Sequence, residues 1–222
     1  MKRLFALSAI AIVIAVTAVS LTSLTSVAQD ASFGGMSFFV TSVGVGNGGD
    51  LGGLSGADAH CQDLAAAAGA GNREWRAYLS TEAESGRGES ARQRIGRGPW
   101  YNAAGVLIAA NRGDLHLYNR TINKLTALDE NGDMINGVGD SPNRHDTLTG
   151  SMGDGMAFFP DADDHTCNNW TSSGEGSAML GHTDRHGGGN LSWNAAHASR
   201  SCSQADLRAT GGDGLFFCFA AD

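Results

Sequence analysis

The chain has 222 residues, of which 32 are glycine, about twice the usual share. Charged residues make up 17% and hydrophobic residues 41%, which excludes a disordered acidic chain and a coiled coil. With 15 Lys and Arg against 23 Asp and Glu, the net charge is −8, and the chain lacks the basic footprint of a general nucleic-acid binder.

The first 28 residues have the pattern of a secretory signal peptide. Lys2 and Arg3 precede an apolar run over residues 4–19, and Ser26-Val27-Ala28 supplies small residues before a cleavage site. The alternative is an uncleaved membrane anchor, because the apolar and Ser/Thr-rich stretches together nearly span a bilayer. We expect cleavage after Ala28, which leaves residues 29–222 as one secreted or periplasmic domain without a membrane span.

The mature chain is expected to open with a strand and a helix. Alternating apolar and β-branched residues predict a strand over residues 36–45. Ser55 is predicted to cap the following helix, with Asp58 as the acidic half of a capping box, and glycines after residue 68 end it. The apolar stripe of this helix carries Cys61 and points it into the core.

Later elements are short and separated by long loops rich in Gly, Ser and Asn. Residues 90–95 are predicted to form a second helix, and Glu130-Asn131-Gly132 a hairpin turn. Strands are predicted over residues 75–80, 106–109, 124–128 and 214–220. The pattern predicts one α+β domain with two short helices, twisted antiparallel strands and long ordered loops.

Four cysteines remain after the signal segment, and an even number in an exported chain predicts two disulfides. The alternative is a four-cysteine metal site, but no two cysteines have the close spacing that such sites use. The spacing alone leaves all three pairings open for Cys61, Cys167, Cys202 and Cys218.

Several segments follow one another in a recognisable order. They are residues 57–62 (ADAHCQ), 75–80 (WRAYLS), 125–135, 167–170 (CNNW), 176–181, 201–203 and 215–218. In order and spacing they resemble the collagen-derived endostatin domain, which belongs to the C-type-lectin-like fold. Residues 170–185 are also similar to bacterial exported proteins described as lectin-like. The resemblance implies an endostatin-like and C-type-lectin-like domain over residues 29–222, with nested disulfides Cys61–Cys218 and Cys167–Cys202.

The metal sites of these two families do not transfer to this sequence. Sugar-binding lectins of the family hold calcium partly through a Trp-Asn-Asp triplet, whereas this chain has Trp193-Asn194-Ala195. Endostatin binds zinc through an N-terminal histidine cluster, whereas no histidine precedes His60 here. The resemblance therefore implies the fold more strongly than a specific ligand.

The resemblance implies a non-enzymatic binding module whose ligand is a glycan or an extracellular protein, held on the long-loop face. Aromatic faces suit sugar rings, although tryptophans are also typical core residues. The expected ligand contacts are Trp170, His182, Asp184, Arg185, Trp193 and His197. A structural envelope or matrix protein is the alternative without a small ligand. The sequence contains no nucleophile elbow, zinc-protease helix motif or phosphate loop.

Two polar segments are candidate metal sites, for zinc or calcium. His182, Asp184 and His186 alternate, and on an extended segment they would share a face that suits zinc. The alternative function is therefore a metal-dependent hydrolase built around these three residues. The alternative is an exposed polar loop.

Asp161, Asp163 and Asp164 offer oxygen ligands of the kind that hold calcium, although a solvated acidic loop is the commoner meaning of such a segment. A further polar cluster, Arg144-His145-Asp146, is interpreted as structural.

Overall fold

A computed structural model describes residues 35–187 and 190–222. The predicted signal peptide lies outside these residues. The strands are β1 (Phe38–Val40), β2 (Trp75–Ala77), β3 (Trp100–Tyr101), β4 (Leu107–Ala109), β5 (Asp146–Leu148), β6 (Met179–His182), β7 (His197–Ala198) and β8 (Gly212–Ala220). The helices are α1 (Gly53–Ala67), α2 (Ala91–Arg94), α3 (Cys167–Trp170) and α4 (Gln204–Thr210), with a π-helical turn at Asp114–Tyr118.

The long strand β8 organises a six-stranded sheet. The sheet order is β1-β8-β5-β6-β7, and β2 also pairs with β8, while β3 and β4 form a separate ribbon. Strand β5 runs parallel to β8, and the other pairs are antiparallel. The α+β class is therefore confirmed, although the sheet is mixed rather than wholly antiparallel.

The core lies on both faces of β8 because nearly every residue of that strand is buried. Phe216 belongs to the cluster that includes Cys61 and Trp170, whereas Phe217 and Phe219 belong to the cluster around Trp193. Alternate residues of a strand face opposite sides, so one apolar strand serves two cores. No helix among the described residues is long and apolar enough to cross a membrane.

Both disulfides expected from the endostatin resemblance are present. Cys61 of α1 is bonded to Cys218 of β8, and Cys167 of α3 is bonded to Cys202 just before α4. All four side chains are fully buried, as the apolar stripe of α1 predicts for Cys61. The first bond joins the opening helix to the last strand, and the second joins the two loops that flank β6 and β7.

Helix α1 begins without the predicted capping box. Its first turn follows Gly52, which has a left-handed conformation at φ 75°, and no side chain caps it. Asp58 instead accepts hydrogen bonds from the backbone N–H of Ala77 at 2.9 Å and from the Arg94 guanidinium at 2.6 and 2.7 Å. This carboxylate therefore joins α1 to β2 and α2 rather than closing the end of its own helix.

Other differences from the sequence predictions involve loops. Residues 124–126 form a turn, and of the strand predicted there only Leu128 makes a β-bridge, to Met134. The hairpin turn is confirmed by the hydrogen bond from Gly132 N to Asp129 O. Helix α4 was not predicted, although Ser203 caps it by accepting a hydrogen bond from Asp206 N.

Candidate metal centre

Three neighbouring strands present polar side chains on one face of the sheet. Asp146, the first residue of β5, lies directly opposite His182, the last residue of β6. His197 of β7 lies opposite Leu180, two residues before His182. Residues two apart on a strand share a face, and directly paired residues do so too, so these three side chains point to the same side.

A fourth side chain joins them from the residue before β5. His145 precedes the strand, and its carbonyl oxygen accepts a hydrogen bond from the N–H of Thr183 at 2.9 Å. Consecutive side chains of a strand point to opposite faces, but the imidazole of His145 nevertheless reaches the carboxylate of Asp146, with 3.2 Å between His145 Nε2 and Asp146 Oδ1.

One carboxylate oxygen is the centre of the cluster. Asp146 Oδ1 lies 3.2 Å from His145 Nε2, 3.3 Å from His182 Nε2 and 3.6 Å from His197 Nε2. The rings of His145 and His182 are stacked, with centroids 4.5 Å apart. His145, Asp146 and His182 are almost fully buried, whereas the side chain of His197 is 40% exposed.

Hydrogen bonds fix the outer nitrogen of two of the histidine rings. His145 Nδ1 lies 2.8 Å from Asp184 Oδ1, and His197 Nδ1 lies 2.9 Å from the carbonyl oxygen of Ala198. A ring nitrogen that donates to an oxygen carries the proton in the neutral imidazole, so Nε2 is left as the acceptor. In both histidines, that acceptor faces the Asp146 carboxylate.

The centre of the cluster consists of buried polar atoms without partners. Within the described residues, neither oxygen of Asp146 nor either ring nitrogen of His182 makes a hydrogen bond. Buried charged and polar groups left unpaired cost several kcal/mol, so a carboxylate in this position requires a compensating positive charge. A metal ion bound between the carboxylate and the imidazole nitrogens can supply it.

The spacing of these atoms fits a small transition-metal ion. Zinc binds imidazole nitrogen and carboxylate oxygen at about 2.0–2.1 Å in tetrahedral sites, which places neighbouring ligand atoms about 3.3 Å apart. The 3.2 and 3.3 Å separations around Asp146 Oδ1 match this value. The buried group His145, Asp146 and His182 can therefore hold a metal ion.

The pKa values in the cluster reflect the same charges. Burial opposes ionisation of Asp146, but His182 and His197 outweigh it, and the pKa of this carboxyl is below its usual range. Burial also raises the pKa of Asp184, but the hydrogen bonds from His145 and from the N–H groups of Val138 and His186 have a larger effect. The pKa of this carboxyl is therefore below its usual range. Asp146 in turn raises the pKa of His197, against the effect of burial.

Asp184 is a supporting residue rather than a ligand in this cluster. Its carboxylate accepts hydrogen bonds from the backbone N–H groups of Val138 at 2.8 Å and His186 at 2.9 Å, as well as contacting His145. A Cβ atom on Gly137 would lie 2.4 Å from Asp184 Oδ2, so glycine allows the close approach of that loop. Carboxylates that orient a metal-binding histidine commonly stand in this position.

The structure brings together only part of the predicted zinc set of His182, Asp184 and His186. The chain turns at Thr183 and Asp184, so His182, Asp184 and His186 do not share one face. His182 belongs to the cluster, Asp184 contacts it through His145, and His186 is exposed.

Three other expected ligand contacts have structural roles in this conformation. Trp170 is fully buried, and its indole N–H donates to the carbonyl of Ser80 at 2.8 Å. Trp193 is buried against Tyr78 and Phe217. The Arg185 guanidinium donates to backbone carbonyls, including that of Ile122 at 2.7 Å. Neither indole face is open to a sugar ring in this arrangement.

The acidic loop does not form a comparable centre. The ligand atoms of Asp161, Asp163 and Asp164 do not converge, and within residues 35–187 and 190–222 the only such group contains His145, Asp146 and His182. Asp161 instead accepts from the N–H of Asp163, and Asp164 from that of Thr166, both at 2.9 Å. These carboxylates stabilise the turns of their own loop.

Comparisons with known proteins add no assignment: neither a family model nor a curated protein matches the chain. The site therefore depends on its geometry. Sequence reasoning noticed His145 and Asp146 but interpreted them as structural, because nothing local connects them to His182. The usable signal was the His145-Asp146 pair, together with histidines in two later segments.

Proposed function

We propose that this protein is an exported binding module whose loop face is organised by a zinc ion bound to His145, Asp146 and His182. The observation that carries this proposal is the Asp146 carboxylate, buried without a hydrogen bond and surrounded by imidazole nitrogens at 3.2–3.6 Å. The signal-like first 28 residues and the two disulfides support export.

Zinc is the metal that these ligands suit best. Imidazole nitrogen with one carboxylate is a common zinc set, and the ligand spacing fits tetrahedral coordination. Calcium instead takes six to eight oxygen ligands, and this cluster offers only the oxygens of Asp146.

Burial favours a structural metal over a catalytic one. A catalytic zinc keeps one coordination position for water or substrate. Here the oxygens of Asp146 and the nitrogens of His182 are buried away from solvent, and the rings of His145 and His182 stack on each other. We therefore propose that the metal stabilises the contact between β5, β6 and the loop before β5, and that it does not serve hydrolysis.

Zinc titration of the mature protein by calorimetry tests the proposal. We expect one site per chain, weakened more than about 100-fold in Asp146→Ala and in His182→Ala, since even outer-shell residues contribute 10–100-fold. His186→Ala is the matched control, because His186 is an exposed histidine of the adjoining loop. Circular dichroism verifies that each variant is folded. Equal zinc binding by wild type and Asp146→Ala would refute this site.

Recognition of a glycan or an extracellular protein is a second proposed function. It is supported by the nested disulfides, which join the chain in the order that the endostatin and C-type-lectin-like resemblance implies. A glycan array probed with zinc-loaded protein and with chelator-treated protein tests it. Glycan binding lost with chelator would support a metal-dependent lectin, and no binding in either condition would count against the glycan ligand.

A further inference from the structure

We infer that His197 is a fourth ligand, which closes the coordination sphere of this metal on its solvent side. The inference deepens the proposed function and rests on it. His197 lies outside the compact group of three, because its Nε2 is 3.6 Å from Asp146 Oδ1 and its side chain is 40% exposed. It is nonetheless placed and oriented as a ligand.

The placement follows from the sheet. Strand β7 pairs only with β6 and forms the edge of the sheet, and His197 shares the face of His182. The two rings meet edge to face, with centroids 5.0 Å apart. A shift of a few tenths of an ångström brings His197 Nε2 to the separation that His145 and His182 already have from Asp146 Oδ1.

The orientation follows from the hydrogen bond on the other side of the ring. His197 Nδ1 lies 2.9 Å from the carbonyl oxygen of Ala198, so Nδ1 is the donor and Nε2 the acceptor of the neutral ring. That nitrogen faces Asp146 Oδ1, an acceptor that makes no hydrogen bond within the described part of the chain. With the ring neutral, two acceptors face each other, and a metal ion between them removes the repulsion; ligand histidines commonly use their other nitrogen in this way.

The chemistry of the set changes with the fourth ligand. Three protein ligands leave a tetrahedral ion with one open position, whereas three histidines and one aspartate fill all four positions, as structural zinc sites do. Since His197 lies on the two-residue edge strand β7, metal binding would also attach that edge to β5 and β6. We expect zinc to slow amide exchange over residues 196–199.

Cobalt(II) absorption with wild type, His197→Ala and His186→Ala tests the inference, since visible bands of Co²⁺ are far stronger in four-coordinate than in six-coordinate sites. We expect intense bands for wild type and His186→Ala. In His197→Ala water takes the open position, so we expect shifted and weaker bands together with a more than about 10-fold loss of zinc affinity. Far-UV circular dichroism verifies the fold; His197 is half-exposed, and its replacement leaves the core intact.

The outcomes separate the inference from the proposed function. Strong bands and unchanged zinc affinity in His197→Ala would overturn the fourth ligand while leaving the three-residue site in place. Absence of cobalt and zinc binding by the wild type would overturn both. Amide exchange gives a second readout, because zinc protection of residues 196–199 should be lost in His197→Ala and kept in His186→Ala.

Discussion

The Nδ1 atom of His145 lies 2.8 Å from Asp184 Oδ1, across two segments 39 residues apart in sequence. The hydrogen bond orients the imidazole so that Nε2 faces Asp146. Asp184 is held in turn by the backbone N–H groups of Val138 and His186. The proposed metal centre thus has a supporting shell built by the loops after β6 and before β5.

Replacing this positioning residue should weaken the metal site without removing a ligand. We expect Asp184→Asn to reduce zinc affinity about 10–100-fold, because an amide orients and polarises the His145 ring less well than a carboxylate. Calorimetric titration measures the change, and thermal unfolding with chelator present reports any purely structural effect. Asp63→Asn, which changes an exposed carboxylate on α1, is the control. Equal losses of affinity in both variants would contradict this role.

The buried ion pair between α1 and α2 should be a major local contribution to stability. Asp58 accepts two hydrogen bonds from the Arg94 guanidinium, whose side chain is 3% exposed. We expect Asp58→Ala to lower the free energy of unfolding by about 3 kcal/mol, because it leaves the guanidinium charge buried and less well paired. Urea unfolding measures this, with exposed Asp63→Ala on the same helix as the control. Equal stability of the two variants would contradict the assignment.

The two disulfides should contribute unequally. They close loops of 157 and 35 residues, for which the chain-entropy model gives about 5 and about 4 kcal/mol. We expect the Cys61→Ala/Cys218→Ala variant to be less stable than Cys167→Ala/Cys202→Ala. Denaturant unfolding of both variants under oxidising conditions tests this order, and the reverse order would show that core packing rather than loop closure dominates.

Histidine 116 should make stability depend on pH between about 4 and 6.5. Burial, with smaller effects from the neighbouring arginines 92 and 112, lowers the pKa of His116 to about 4, although the Arg112 carbonyl and Asp154 act in the opposite direction. The unfolded chain binds this proton below pH 6.5 and the folded chain only near pH 4, so stability falls as the pH is lowered through that window, by about 3 kcal/mol.

The test compares wild type with His116→Gln by urea unfolding at pH 7, 5.5 and 4, with chelator present to remove any contribution of metal. Glutamine retains a polar group near the hydroxyl of Tyr78, which His116 contacts at 2.8 Å. The stability difference between pH 7 and pH 4 should be smaller in the variant. Parallel curves for the two proteins would show that His116 does not contribute to the pH dependence.

The sequence predicted those parts of the fold that local pattern determines. The apolar stripe around Cys61 located α1, and the run ending at Ala220 located β8, because each signal extends over several residues. The strand expected at residues 124–128 is instead a turn, in which the N–H of Leu125 donates to Asn123 Oδ1 and the hydroxyl of Thr126 donates to the Asn123 carbonyl. Such local side-chain bonds compete with strand formation.

The proposed metal centre could not be predicted from local sequence pattern. Asp146 and His182 meet only because β5 and β6 pair in one particular register, and His145 joins them through the orientation of its side chain just before β5. Neither feature is visible in a single sequence. The sequence analysis singled out His182, Asp184 and His197 but grouped His182 with its sequence neighbours as a metal set. In the structure His182 instead contacts Asp146, 36 positions earlier, and His197, 15 positions later.

Native mass spectrometry of the mature, disulfide-bonded protein after equilibration with zinc and removal of free metal tests the central claim most directly. The account predicts one zinc ion per chain in the wild type and in His186→Ala, and none in Asp146→Ala, whose fold is verified by circular dichroism. Wild-type protein that retains no zinc, or an Asp146→Ala variant that retains it fully, would contradict the metal centre.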